Sequence, residues 1–138
     1  MLEPAAIDGT RVLITGPTGQ VAEPVLAAWA PRCDLHALAR FSNDEDRQRI
    51  EAMGVTCWAV DLADPTALQS IPDDFDYVLN FAVVKSGDFS YDLAANAEGL
   101  GRLMLHCRSV RAFLHLSSTA VYEYAGHDPV SYTHLRAH

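Results

Sequence analysis

The chain of 138 residues lacks the features that mark membrane-embedded, secreted and nucleic-acid-binding proteins. No apolar run approaches the roughly 20 residues that a membrane helix needs. The start, Met-Leu-Glu-Pro, has no basic region followed by an apolar stretch, so no signal peptide is predicted. A formal net charge of -8 at pH 7 argues against nucleic acid and anionic membranes as partners. These absences predict a cytoplasmic protein.

Cysteine is scarce, and its spacing does not suggest a metal site or a disulfide framework. The chain has three cysteines, without CxxC spacing: Cys33, Cys57 and Cys107. They are predicted to be reduced and mostly buried thiols. His134 and His138 lie four residues apart, but no acid or third ligand accompanies them, and no metal site is predicted. The other histidines show no ligand spacing and are predicted to be structural: His36, His106, His115 and His127.

Short apolar runs alternate with helical patterns along the chain, without internal repeats. Strands are predicted at residues 11–15, 34–39, 55–60, 76–84 and 111–116. Helices are predicted at about 20–30, from Ser42 or Asn43 to 53, in a short segment opening at 64–66, and at 90–108. This alternation indicates βαβ units and a parallel sheet. With right-handed crossovers it predicts a three-layer, doubly wound α/β Rossmann fold with strand order 3-2-1-4-5.

The first strand is followed by a glycine-punctuated turn, Thr-Gly-Pro-Thr-Gly-Gln-Val-Ala at residues 15–22, which opens the first helix. Gly16 allows a sharp turn, Gly19 allows close approach to a pyrophosphate, and Ala22 allows the helix to pack near the strand. The helix N-terminus offers N–H groups and a positive dipole end to phosphates. No Gly-Lys-Ser/Thr follows, so this is not a P-loop. A turn without a ligand is the plainer alternative, but its position at the first βα junction favours a dinucleotide.

This TGxxGxxA turn resembles that of the extended and atypical short-chain dehydrogenases/reductases, also called the NAD(P)-dependent epimerase/dehydratase family. Four further segments follow in the family's order. Asp61-Leu62 lies where the family has an Asp beside the adenine ring, and Asn-Phe-Ala-Val at 80–83 corresponds to the family's His/Asn-x-Ala-Ala. Asn-Ala-Glu-Gly at 96–99 corresponds to Asn-x-x-Gly, and Leu-Ser-Ser-Thr-Ala-Val-Tyr at 116–122 corresponds to Ser-Ser-x-x-Val-Tyr. The resemblance covers residues 7–129. Two residues depart from the family's pattern: Val83 stands where the family usually has the second Ala, and Leu100 stands where it often has Thr. These departures affect details of cofactor contact rather than the fold.

The resemblance implies a set of cofactor-binding residues: Gly16, Thr18, Gly19, Gln20, Val21, Arg40, Asp61, Leu62, Phe81, Ala82, Val83 and Asn96. It places the family's catalytic Ser/Thr on Ser118, which would hydrogen-bond the substrate hydroxyl or carbonyl and orient it for hydride transfer, with Thr119 as the second choice. Without the family, Ser118 is a strand end that caps its own backbone. Asn96 is then an ordinary polar helix residue, and Asp61 only a turn former.

The residue at the end of the second predicted strand bears on the choice of nicotinamide cofactor. NAD-specific Rossmann domains place an acid there, roughly 20 residues beyond the glycine motif, to bind the ribose 2′-hydroxyl. Here the position holds Arg40, whose guanidinium suits a 2′-phosphate, and Ser42 adds a hydroxyl. NADP is therefore preferred over NAD. Alternatively, Arg40 stacks on the adenine edge or is solvated, and the acids at 44–46 then tolerate NAD.

The resemblance also implies that the chain is the N-terminal part of a longer protein. The family's Tyr-x-x-x-Lys lies roughly two dozen residues beyond the catalytic Ser, whereas Tyr132 comes too early and is followed by Arg136 instead of Lys. Residues 130–138 look like a translated sequencing adapter. We therefore expect an incomplete Rossmann domain at 1–129 and a non-native tail at 130–138, and expect the truncated chain itself to be inactive.

The implied parent protein is an NAD(P)-dependent epimerase, dehydratase or reductase that works by hydride transfer at a carbinol or carbonyl carbon. Its partner would be a small-molecule substrate, with a nucleotide sugar as one candidate, and a homodimer is one candidate assembly. The main alternative is a non-catalytic NADP-binding redox sensor or regulator. A flavodoxin-like or response-regulator domain shares the strand alternation, but the glycine motif at the first junction disfavours it.

Overall fold

The protein is described here by a computed structural model that covers residues 7–118. The predictions for Thr119, for the Val-Tyr pair at 121–122, and for His127 and the tail at 130–138 concern residues outside this range. Within it, no helix combines the length and the apolar character that crossing a bilayer requires.

Five parallel strands form one sheet: β1 (Arg11–Thr15), β2 (Asp34–Ala39), β3 (Thr56–Ala59), β4 (Tyr77–Asn80) and β5 (Ala112–His115). Their order is β3-β2-β1-β4-β5, and helices pack on both faces of the sheet, so the predicted Rossmann architecture is confirmed. β4 is shorter than the predicted 76–84, because its neighbour β1 ends at Thr15. The Phe81 N–H still donates to the Thr15 carbonyl at 3.3 Å, but Gly16 then turns away with φ 66°, so residues 82–84 have no backbone partner on β1.

The helices are α1 (Ala22–Trp29), α2 (Asp44–Glu51), a 3₁₀ turn (Ala67–Ser70), α3 (Phe89–Leu93), a π-helical turn (Ala94–Glu98) and α4 (Gly99–His106). The single helix predicted at 90–108 is thus interrupted by the π turn, in which the Gly99 N–H donates to the carbonyl of Ala94. Asn43, rather than Ser42, caps α2: its side chain accepts from the Glu45 N–H at 2.9 Å.

The two faces of the sheet carry separate apolar cores, because successive side chains of a strand point to opposite faces. Val12 and Ile14 pack with Leu26 of α1 on one face. Leu13 packs with Leu103 of α4 on the other. The cysteines are all within the described residues and are free thiols; burial raises the pKa of both Cys57 and Cys107 to about 11, while Cys33 is partly buried. The prediction that the thiols are mostly buried is confirmed for Cys57 and Cys107.

Candidate functional site

A cavity of about 260 Å³ lies at the carboxyl ends of β1 to β4. The turn between β1 and α1 forms one wall, and the segments that follow β2, β3 and β4 form the others. The lining residues are Gly16, Thr18, Gly19, Leu38, Ala39, Arg40, Val60, Asp61, Leu62, Phe81, Ala82, Val83 and Val84. Because the chain leaves β1 towards β2 while β4 lies on its other side, this is the switch point of the sheet, where doubly wound folds bind ligands.

The glycine turn is shaped by close backbone contacts. Gly16 has φ 66°, and a Cβ atom built on it would lie 2.8 Å from the Ala82 nitrogen. The Gly19 N–H donates to the Gly16 carbonyl at 3.1 Å. α1 begins directly afterwards, and the side chain of its N-cap residue, Val21, accepts no hydrogen bond. The turn thus brings two backbone segments together beside a helix N-terminus that has no side-chain cap.

A ladder of polar side chains fixes the β4 wall of the cavity. The Thr15 hydroxyl donates to Asn80 Oδ1 at 2.6 Å and accepts from the Ala82 N–H at 3.1 Å. Asn80 Nδ2 lies 2.9 Å from His115 Nδ1 on β5. Thr15 and Asn80 are buried, so these bonds satisfy polar groups that water does not reach. The ladder sets the position of Ala82, which faces the glycine turn.

The same wall is held from the π-helical turn by Asn96. Its side-chain amide donates to the Val84 carbonyl at 2.7 Å, and its side-chain oxygen accepts from the Val84 N–H, also at 2.7 Å. Asn96 itself does not line the cavity, whereas Val84 does. The predicted contact of Asn96 with a cofactor therefore stays a prediction. In the structure, Asn96 lies behind the part of the cavity wall that Val84 forms.

Tyr91 of α3 connects two residues that line the cavity, Arg40 after β2 and Asp61 after β3. Its hydroxyl donates to Asp61 Oδ2 at 2.7 Å and accepts from Arg40 Nη1 at 3.2 Å. The bond to Asp61 raises the pKa of the Tyr91 hydroxyl, because that bond is lost when the proton leaves. Asp61 Oδ1 accepts from the Ala63 N–H at 2.9 Å, so Asp61 forms a turn as well as lining the cavity.

Arg40 also lines a second cavity, of about 240 Å³, which adjoins the first. Thr18 and Ala39 are shared between the two, and the second continues to Ser42, Asn43 and Asp46. Asp46 forms an ion pair with Arg49 at 3.2 Å, which partly balances its charge.

Most of the predicted cofactor residues meet in the first cavity: Gly16, Thr18, Gly19, Arg40, Asp61, Leu62, Phe81, Ala82 and Val83. Gln20 and Val21 are exposed at the start of α1 and do not line it. Ser118 is exposed just beyond β5, at the same edge of the sheet and outside the cavity wall. Four further lining residues were not predicted from the sequence: Leu38, Ala39, Val60 and Val84. Thr15 was predicted only as the first residue of the glycine turn, and no role was predicted for Tyr91.

A glycine turn facing a cavity at the switch point of a parallel sheet defines a Rossmann-type, dinucleotide-binding class of domain. The chain matches the model of the NAD dependent epimerase/dehydratase family over residues 12–137, and it belongs to that family. No curated protein sequence matches it.

Solved structures give the same fold. The UDP-N-acetylglucosamine 4-epimerase from Methanobrevibacter ruminantium, in complex with UDP-N-acetylmuramic acid, is 20% identical with a TM-score of 0.78, over 93% of this chain and 44% of that chain. A short-chain dehydrogenase/reductase superfamily protein from Agrobacterium tumefaciens with bound NAD is 23% identical with a TM-score of 0.68, over 90% of this chain and 38% of that chain. A short-chain dehydrogenase from Burkholderia cenocepacia in complex with NADP is 19% identical with a TM-score of 0.62, over 75% of this chain and 51% of that chain. The chain thus spans about half or less of each of these proteins.

Proposed function

We propose that the chain binds a nicotinamide dinucleotide in the first cavity, as the cofactor-binding part of an epimerase, dehydratase or reductase. The observation that carries the proposal is the cavity itself, which joins the glycine turn to the carboxyl ends of β2, β3 and β4. The pyrophosphate would lie against the turn at Gly16 and Gly19, and the adenosine would extend towards Arg40 and Asp61.

The start of α1 suits the pyrophosphate. The two other helices that begin from a loop carry side-chain caps: Asn43 accepts from a first-turn N–H of α2, and Asp88 from one of α3. α1 has no such cap. The Glu23 N–H already donates to the Gly19 carbonyl at 3.1 Å, and Pro24 has no N–H. The N–H groups of Gln20, Val21 and Ala22 have no partner among residues 7–118. An anionic ligand would satisfy these donors and would be favoured by the positive end of the helix dipole.

The second cavity supports NADP as the preferred cofactor. It lies beside Arg40 and contains Ser42, whose hydroxyl has no hydrogen-bond partner in the described part of the chain. A 2′-phosphate there would receive charge-assisted hydrogen bonds from the guanidinium. Three solved structures of the same fold contain NAD and one contains NADP, so the argument for NADP rests on Arg40.

The remaining parts of the proposal concern the parent protein. When bound, the nicotinamide supplies or accepts a hydride at a carbinol or carbonyl carbon. Ser118, at the carboxyl edge of the sheet, would orient that substrate through its hydroxyl. One similar structure contains UDP-N-acetylmuramic acid, and another contains NAD+ and UDP. These ligands support a nucleotide sugar as the substrate class. We further propose that the domain comprises residues 1–129 and that the chain alone does not turn over substrate.

Arg40→Ala tests the cofactor assignment. We expect the dissociation constant for NADP to rise roughly 30-fold, since a charge-assisted bond contributes about 1.5–3 kcal/mol. NAD lacks the 2′-phosphate, and its dissociation constant should change less than about threefold. Isothermal titration calorimetry with each cofactor measures both values.

Arg47→Ala provides the matched control for this experiment. Arg47 is another arginine nearby, on α2, and it pairs with Glu51 at 2.8 Å without lining either cavity. Its removal should leave the ratio of the NAD and NADP dissociation constants unchanged. Equal weakening of both cofactors by Arg40→Ala would contradict the preference for NADP.

A further inference from the structure

Tyr91 has no place in the sequence-based prediction, yet its hydroxyl connects two residues of the candidate cofactor site. It lies 30 residues after Asp61 and 51 residues after Arg40, and bonds both. Arg40 follows β2, Asp61 follows β3, and Tyr91 is on α3, so the bridge spans three separate segments. At one end of the bridge, Arg40 lies at the border of the two cavities because it lines both, and at the other end Asp61 lines the first cavity alone.

The direction of the two hydrogen bonds is fixed by chemistry. A guanidinium can only donate, and the Asp61 carboxylate accepts. The Tyr91 hydroxyl therefore gives its one proton to Asp61 Oδ2 and uses an oxygen lone pair to accept from Arg40 Nη1. Asp61 thus orients the hydroxyl so that it can hold Arg40.

Local bonds that involve neither Arg40 nor Asp61 place Tyr91. Asp88 Oδ1 caps α3 by accepting from the Tyr91 N–H at 3.0 Å. Asp92 Oδ1 accepts from the Ser86 N–H at 2.9 Å and from its hydroxyl at 2.6 Å, which closes the loop before the helix. These bonds lower the pKa of Asp92, because they stabilise its charged form. Removing only the Tyr91 hydroxyl should leave α3 and its loop in place.

Arg40 needs such support because it is exposed and long. Ordering a rotamer-rich side chain when a ligand binds has an entropic cost, and a side chain that is already held avoids part of it. The bond to Tyr91 uses Nη1 alone. Nε and Nη2 have no hydrogen-bond or ion-pair partner among residues 7–118 and can still donate to a phosphate.

We propose that Tyr91 is a positioning residue for cofactor choice: its hydroxyl holds the Arg40 guanidinium at the border of the two cavities, ready to bind the 2′-phosphate of NADP. The inference rests on the proposed function. Tyr91 acts on the 2′-phosphate through Arg40, so it affects NADP and leaves NAD nearly unchanged. A role in the fold alone would change both cofactors equally.

The test measures NADP and NAD dissociation constants by calorimetry for the wild-type chain, Tyr91→Phe, Arg40→Ala and the double variant. Tyr91→Phe should weaken NADP binding roughly fivefold, the scale expected for ordering one side chain, and NAD binding less than about twofold. In the Arg40→Ala background, Tyr91→Phe should have no further effect on NADP, because the residue through which it acts is gone. Ser90→Ala, an exposed neighbour on α3, should change neither constant.

The outcomes separate the inference from the proposed function. A wild-type chain that binds neither cofactor would overturn both. Binding of both cofactors with the same NAD-to-NADP ratio in Tyr91→Phe, or an equal effect of Tyr91→Phe with and without Arg40, would overturn the role of Tyr91 and leave the cofactor site standing. Circular dichroism checks that each variant is folded. If Tyr91→Phe fails that check, Tyr91→Leu, which also lacks the hydroxyl, takes its place with the same expected ratio.

Discussion

Gly99→Ala is expected to lower the free energy of unfolding by about 3 kcal/mol, the upper part of the range for overpacking a tightly packed position. Gly99 opens α4 and is buried against the segment that follows β3. A Cβ atom at this position would lie 2.5 Å from the Leu62 carbonyl oxygen and 3.0 Å from the Leu62 Cβ. The obstacle is backbone, so either α4 or the cavity wall at Leu62 must move. Urea denaturation measures the loss.

Gly101 gives a matched control two residues further along the same helix. A Cβ atom there has no neighbour within 4 Å. Alanine is the better helix former, so Gly101→Ala should raise the free energy of unfolding by about 0.5–1 kcal/mol. Opposite signs for the two substitutions are the expected result. A similar change in both would mean that close packing against Leu62 does not determine the choice of glycine.

Gly16→Ala is expected to raise the NADP dissociation constant roughly 100-fold or more. The backbone there has φ 66°, a conformation that costs a residue with a side chain about 1–2 kcal/mol. The new Cβ would also lie 2.8 Å from the nitrogen and 2.9 Å from the Cα of Ala82. Relief of that contact separates the two walls between which the pyrophosphate is proposed to lie. Calorimetric titration measures the loss.

Gly54→Ala separates backbone strain from damage to the cavity. Gly54 also has positive φ, 86°, but it follows α2 and a Cβ there meets nothing within 4 Å. This variant should lose about 1–2 kcal/mol of stability and bind NADP as the wild type does. If it lost as much affinity as Gly16→Ala, general destabilisation would explain both results and the close contact with Ala82 would not.

The strand order could be predicted because each strand is a short apolar run and the crossover rule leaves few topologies. The interruption of the predicted helix at 90–108 could not. Its periodicity is helical throughout, whereas the π turn depends on contacts distant in sequence. Asn96 is bonded to Val84, and Gly99 packs against Leu62. Tertiary contacts therefore set the register of this segment, and no local residue preference encodes it.

In the candidate site, too, some residues could be predicted from the sequence and others could not. The glycine turn and the strand-end residues Asp61 and Ala82 follow a motif whose spacing can be read in the sequence, and the structure places them around one cavity. Thr15 is the first residue of the TGxxGxxA turn, but the motif does not specify the bonds that its hydroxyl makes, and Tyr91 belongs to no motif. Their partners lie 30 to 67 residues away, so only the folded chain brings them together. Arg40 could be recognised from its position, but the hydroxyl that holds it could not.

The most direct test of the account is a titration of the isotope-labelled chain with NADP, followed by two-dimensional NMR of the backbone amides. Saturable shifts should appear at Gly16, Gly19, Arg40 and Asp61, which line the first cavity. The amide of Phe113, in an apolar groove elsewhere on the sheet, should not move. The absence of saturable shifts, or shifts confined to the groove around Phe113, would contradict a nicotinamide dinucleotide site at the switch point of the sheet.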